Sequence, residues 1–121
     1  MTTILVVEDS TSVQQFLKRE LEAMGHKAVV AGNGLVALEE VDKHPIDAVI
    51  TDYHMPVMTG TEFIKKLRTL KRFKQIPIAV MSSDAGSAVK AEAKDAGATG
   101  FAQKPIDAAR FRLMVEKMLA A

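Results

Sequence analysis

Apolar runs of strand length alternate with helical patterns along the whole chain. The runs are Thr3–Val7, Lys27–Ala31, Ile46–Thr51, Ile76–Met81 and Thr99–Ala102. Their unbroken apolar character, rather than strict alternation, predicts strands covered on both faces. Between them, Val13, Phe16, Leu17, Leu21 and Met24 recur at the spacing of an amphipathic helix, as do Phe63, Ile64, Leu67 and Leu70. Phe111, Met114, Val115, Met118 and Leu119 repeat the stripe near the end, and Leu38 with Val41 gives a weaker version between the second and third strands. Gly25 and Gly97 follow two helices, where positive φ is often needed, and Ser10 and Asp84 precede two others as N-caps. Five βα units with short connections predict an α/β fold, a doubly wound parallel sheet with helices on both faces.

The helix around Ala85–Ala96 stands apart. Its inward candidates are Ala85, Ala88, Val89 and Ala96, with Val89 the only large anchor. So little apolar area per turn leaves two readings open, a closely packed alanine surface or an element meant to shift.

Composition narrows the class. At 121 residues, 48% hydrophobic and 26% charged, the chain reads as one ordered domain spanning 1–121. A net charge of +1 gives no reason to invoke nucleic acid or an anionic membrane surface. The absence of cysteine rules out disulfides and thiolate metal sites. The first apolar run is too short to span a membrane and lacks the charged start of a signal peptide, so a cytoplasmic protein is expected.

Chemistry gathers where the strands end. The first run stops in Glu8-Asp9 and the third in Asp52. The fourth leads into Ser82 and Ser83, and the fifth into Lys104-Pro105. In open parallel sheets ligands collect at the carboxyl ends of strands, so these groups are expected to meet. Three clustered acids repel one another unless a cation is shared, and an oxygen-only set suits Mg²⁺. Asp52, alone on the central strand between the acid pair and the Ser/Lys side, is the candidate nucleophile for an acyl phosphate. Phosphoryl transfer asks mainly for positioning and charge neutralisation, and the cation, Lys104 and Ser82 would each take one equatorial oxygen. Taken singly, Asp9 reads as a cap, Ser82 as a capping hydroxyl and Lys104 as a surface lysine. Their combination at the ends of four strands overrides those readings.

The segments Ile4-Leu5-Val6-Val7-Glu8-Asp9-Ser10, Thr51-Asp52-Tyr53-His54-Met55-Pro56-Val57-Met58-Thr59-Gly60, Val80-Met81-Ser82-Ser83 and Lys104-Pro105 resemble those of response-regulator receiver domains, in order and over nearly the whole chain. The resemblance implies the flavodoxin-like receiver fold with strand order 2-1-3-4-5. It implies that Asp52 accepts a phosphoryl group from a sensor histidine kinase or phosphotransfer protein. Mg²⁺ would be held by Asp9, by Asp52, by Glu8 through water and by the His54 main-chain carbonyl, while Ser82 and Lys104 contact the phosphoryl group. Family members usually carry a cis bond before the proline matching Pro105. The implied switch couples Ser82 to Phe101 and remodels the face of the fourth helix, fifth strand and fifth helix for a downstream protein, in chemotaxis or a relay. Such a chain is a phosphoacceptor that promotes its own phosphorylation and dephosphorylation rather than an enzyme on a separate substrate, acting as a monomer or weak homodimer. Phe101 replaces the tyrosine of the chemotaxis member and lacks its hydroxyl. Glu8 replaces a frequent Asp, and His54 with Asp84 fills the variable positions that tune phosphoryl lifetime.

Two rival classes fit less well. A flavodoxin-like cofactor binder would grip phosphate with Ser10-Thr11-Ser12, but that loop lacks glycine and follows two acids. An Mg-dependent aspartyl phosphohydrolase usually has a second Asp two residues after its nucleophile, where this chain has His54. The chain closes on Ala120-Ala121 with no linker, which favours a stand-alone regulator over an excised receiver. Lys65, Lys66, Arg68, Lys71, Arg72 and Lys74 put six cations in ten residues, read as a solvated helix end suited to the dipole, or as a docking patch for an acidic partner.

Overall fold

The computed structural model describes residues 2–120. The elements run β1 (Thr3–Val7), α1 (Thr11–Ala23), β2 (Lys27–Ala31), α2 (Gly34–Glu40), β3 (Ala48–Asp52), α3 (Gly60–Arg68), a 3₁₀ turn (Lys71–Phe73), β4 (Ile78–Ser82), α4 (Ser87–Ala96), β5 (Gly100–Gln103) and α5 (Ala108–Ala120). All strand pairs are parallel, and the sheet order is β2-β1-β3-β4-β5. The expected order therefore stands.

Period-two alternation divides the apolar strands between two cores. Leu5, Val7, Val49, Ile78 and Val80 face one layer, where Phe63, Ile64 and Leu67 of α3 join Ala37 of α2 and Ala93 of α4. Ile4, Val6, Ile50, Ala79 and Met81 face the other, against Leu17 and Leu21 of α1 and Phe111 and Val115 of α5. β1, β3 and β4 are buried at every position, the signature of central parallel strands. β5, at the edge, is only half-covered.

Several boundaries differ from the sequence expectation. β3 and β4 each begin two residues later than Ile46 and Ile76, and the ladder carries through Asp52 and Ser82. Leu70 lies outside α3 and is exposed, because the chain turns into the 3₁₀ segment and seats Phe73 in the core instead. Ser10 caps α1 as expected, accepting from the Val13 amide at 3.4 Å. Asp84 does not cap α4. Gly86 is the N-cap residue, and the Asp84 carboxylate accepts from the Gly86 amide at 2.9 Å in the turn before it. In α4, Ala93 and Ala96 are buried, Ala88 is exposed and Ala85 precedes the helix, so the inward face is rotated from the one expected.

The cationic run also divides. Arg68 is an internal clasp: its guanidinium donates to the carbonyls of Phe73 and Ile76, each at 2.8 Å, and to that of Gly97 at 2.7 and 3.2 Å. Burial pulls its pKa below the usual value. Arg72 donates to the His44 carbonyl at 2.9 Å and lies 4.6 Å over the Phe73 ring. Lys65, Lys66, Lys71 and Lys74 are exposed, as the solvated reading requires.

Between β3 and α3 the backbone doubles back tightly. Val57 takes φ 78 while the Met58 amide donates to the Pro56 carbonyl at 2.9 Å, the marks of a γ-turn in a β-branched residue. The turn returns Gly60 to the strand end, where its amide donates to the Tyr53 carbonyl at 2.8 Å. A Cβ on Gly60 would lie 2.3 Å from the Asp52 carbonyl oxygen, so only glycine fits there. Thr59 and Glu62 then start α3 with a reciprocal capping box.

Two outcomes are expected in urea denaturation. Arg68→Met should lose about 2 kcal/mol, because three carbonyls lose a charged donor, while Lys65→Ala should change stability by under about 0.5 kcal/mol. Gly60→Ala should cost about 3 kcal/mol, since backbone rather than a mobile side chain must yield.

Candidate metal and phosphoryl site

The register brings the acids level. Val7 pairs with Thr51, so Glu8 and Asp52 stand side by side one residue further on, and Asp52 pairs with Met81. Ser82 pairs with Gln103, and the Lys104 amide donates to the Ser82 carbonyl at 2.8 Å, extending that line. Parity then sorts the side chains. Glu8, Asp52 and Lys104 continue the alternation that faces α1 and α5, while Ser82 and Phe101 continue the one that faces α4.

Lys104 closes the site on the first side. Its ammonium donates to Glu8 Oε1 and to Asp52 Oδ2, both at 3.0 Å. The Glu8 side chain is 1% exposed and that of Asp52 is 8%. The second Glu8 oxygen accepts from the Ser10 amide at 3.0 Å, and Asp52 Oδ1 accepts from the Tyr53 amide at 3.1 Å. Burial alone would pull the Lys104 pKa down, but hydrogen bonds and charge from Glu8 and Asp52 outweigh it and hold the group above its ordinary 10.5. A raised lysine pKa stabilises the fold fully below the unfolded value and loses that contribution only as pH climbs through the folded one. The ammonium is therefore a fixed charge at neutral pH. The bond between Lys104 and Pro105 is cis, as the resemblance implied.

Asp9 completes the acidic side from an exposed position. Glu8, Asp9 and Asp52 each offer an oxygen, and these atoms lie within 4.8 Å of one another. Against three carboxylates stands one ammonium, and the all-oxygen donor set fits a hard divalent cation such as Mg²⁺. Both Glu8 oxygens are already engaged, which suits contact through water better than direct ligation. The His54 side chain is exposed, its ring edge-on to Tyr53 at 4.6 Å between centroids.

On the α4 side, the buried Ser82 hydroxyl accepts from the Asp84 amide at 3.0 Å. Phe101 is half-buried, with Lys90 Nζ of α4 5.8 Å from its ring centroid. The Tyr53 hydroxyl donates to the Glu92 carboxylate on α4, and that bond, with some burial, holds its pKa above the usual 10.0. Tyr53–Glu92 and the Lys104 bridge were not foreseen from the sequence. Strand parity was the available signal for the bridge, whereas no spacing rule links Tyr53 to a residue 39 positions away.

The comparisons with known proteins agree with this geometry. The sequence matches the response regulator receiver domain family over residues 4–116. It is 36% identical to chemotaxis protein CheY1 of Helicobacter pylori over 104 residues, covering 84% of each chain. Its fold superposes on the crystal structure of CheY4, a chemotaxis protein of Vibrio cholerae, with TM-score 0.94 and 33% identity over 98% of both chains. The receiver domain of the sensor histidine kinase PA1611 from Pseudomonas aeruginosa, solved with a magnesium ion coordinated in its active-site cleft, shares the fold at TM-score 0.89 and 21% identity, over 99% of this chain and 98% of that one. Among the described residues no helix is long and apolar enough to cross a membrane. By family match, curated relatives and fold together, this chain belongs to the response regulator receiver domain family of two-component signalling and is of CheY type.

Proposed function

We propose that this chain, as a single domain of residues 1–121, is a phosphorylation switch whose acceptor is Asp52. The reading rests on one observation: Asp52 shares the Lys104 ammonium with buried Glu8 at 3.0 Å while Asp9 closes the third corner. A phosphohistidine on a sensor kinase or phosphotransfer protein is the donor. The phosphorus–nitrogen bond breaks as a carboxylate oxygen of Asp52 bonds to phosphorus. The imidazole leaves with the electron pair and takes up a proton. Hydrolysis reverses the linkage, with water attacking phosphorus and the Asp52 carboxylate leaving.

Asp9, Asp52 and the His54 main-chain carbonyl would hold Mg²⁺, with Glu8 reaching it through water. Bound there, the ion neutralises charge on one phosphoryl oxygen. Lys104, already a fixed cation, supplies a point charge to a second oxygen, and the Ser82 hydroxyl donates to a third. The hydroxyl has its own proton to donate while its oxygen accepts from the Asp84 amide, so a Ser82 drawn toward the phosphoryl group is tied to the turn leading into α4. Phe101, on the same face of the sheet, turns inward as Ser82 moves, and the α4–β5–α5 surface changes for a downstream protein. His54 and Asp84, at the cleft rim, tune how readily water reaches the phosphoryl group. We place the protein in the cytoplasm, as a monomer or weak homodimer, with no direct contact to nucleic acid.

Incubation with acetyl phosphate and Mg²⁺ should give one phosphoryl adduct by intact mass. That adduct should vanish with EDTA or in Asp52→Asn, and its persistence in Asp52→Asn would move the acceptor elsewhere. Mg²⁺ affinity is measurable through Tyr53, which adjoins Asp52 and is the only tyrosine in a chain without tryptophan. Asp9→Asn should weaken that affinity at least about tenfold, an effect expected when a direct ligand is lost.

A further inference from the structure

α4 is held unevenly along its length. At its C-terminal end Gly97 takes left-handed backbone at φ 117, and the Arg68 guanidinium grips the Gly97 carbonyl. Its two buried side chains, Ala93 and Ala96, also lie in that half. The other half begins at Gly86 without a side-chain cap, exposes Ala88 and only half-buries Val89. Two side chains in the middle of the helix reach residues of the sheet side: Lys90 lies over Phe101, and Glu92 accepts from Tyr53. Tyr53 is the immediate neighbour of Asp52, and its amide donates to Asp52 Oδ1.

If Asp52 is the phosphoacceptor, as proposed above, a second path runs from it to α4, separate from the one through Ser82 and Phe101. We propose that Tyr53 and Glu92 form a latch that holds α4 against the sheet while Asp52 is unmodified, and that phosphoryl charge on Asp52 opens it. Converting the carboxylate to an acyl phosphate adds roughly one further negative charge beside Tyr53. Tyr53 holds the Glu92 carboxylate with its hydroxyl and Asp52 Oδ1 with its amide, so the added charge on Asp52 repels the acid at the other end of the same side chain. Glu92, exposed and on a flexible stem, is the group free to leave. The helix then pivots about its Arg68–Gly97 end, where its packing is concentrated. Tyr53 acts through α4 and is a positioning residue in this scheme, not a catalytic one.

The test is hydrogen exchange in peptides from residues 87–96, for wild type, Tyr53→Phe, Glu92→Ala and Glu92→Gln, with and without acetyl phosphate and Mg²⁺. Adduct formation is followed by intact mass in the same samples, and exchange in β1 and β3 reports whether each variant keeps its fold. Without acetyl phosphate, Tyr53→Phe and Glu92→Ala should exchange about three- to tenfold faster in α4, the range a lost hydrogen bond implies. Glu92→Gln keeps an acceptor without the charge, so it should match wild type when unmodified. It should open less than wild type once phosphorylated. Wild-type exchange in both unmodified Tyr53→Phe and Glu92→Ala would overturn the latch. Full opening of phosphorylated Glu92→Gln would overturn the charge-driven release. A wild type that forms no adduct would remove the release step together with the phosphoacceptor reading, and the unmodified proteins would still decide whether the latch exists.

Discussion

Everything at this site depends on one ammonium shared between two buried carboxylates. Glu8 and Asp52 sit side by side at the ends of adjacent central strands, with almost no water to screen them. Left alone, such a pair would have to take up a proton or force the strand ends apart. Lys104 spans them from the far edge of the sheet. The bridge fixes where β1, β3 and the segment after β5 end relative to one another. With Asp9 added, the balance still runs to surplus negative charge. That surplus is the physical reason for a divalent cation to be drawn there, and the proposed phosphoryl chemistry follows from the same arithmetic of charge.

The scaffold around this charge cluster is graded in firmness. Three strands buried at every position and a close-packed α3 make a rigid floor. The γ-turn at Val57 and the contact of Gly60 with the Asp52 carbonyl pin the loop beside Asp52 to that floor. α4 is different, since two alanines are its only buried side chains. Much of its attachment is polar: the Arg68 clasp at one end, the Tyr53–Glu92 bond in the middle and the Ser82–Asp84–Gly86 chain before it. Polar attachments respond to added charge, whereas apolar packing does not. A helix held this way is well suited to report an electrostatic event next door.

The cationic run at the end of α3 shows how one composition serves two ends. Arg68 turns inward, where its planar guanidinium forks to the carbonyls of Phe73, Ile76 and Gly97, while Arg72 stays at the surface and donates to the His44 carbonyl alone. The four lysines of the run are exposed. Charge density in the sequence was the same along the run, and only the reach of Arg68 to the carbonyls of Phe73, Ile76 and Gly97 set it apart.

The order of residues alone was enough to read the architecture and the polar groups that gather at the strand ends. Unbroken apolar strands and amphipathic stripes are local signals, and they placed all five strands to within two residues and the helices nearly as well. The acids, serine and lysine at strand ends were legible for the same reason, because strand ends are local and the sheet gathers them. The tertiary structure decided the rest. Asp84 gives way to Gly86 as the cap, Leu70 gives way to Phe73 in the core, and α4 buries Ala93 rather than Ala88. In each case two local choices were nearly equal and packing chose between them. The pairing of Tyr53 with Glu92, and of Lys104 with both Glu8 and Asp52, joins residues tens of positions apart. Such contacts are set by strand register and helix rotation, which exist only once the sheet has formed.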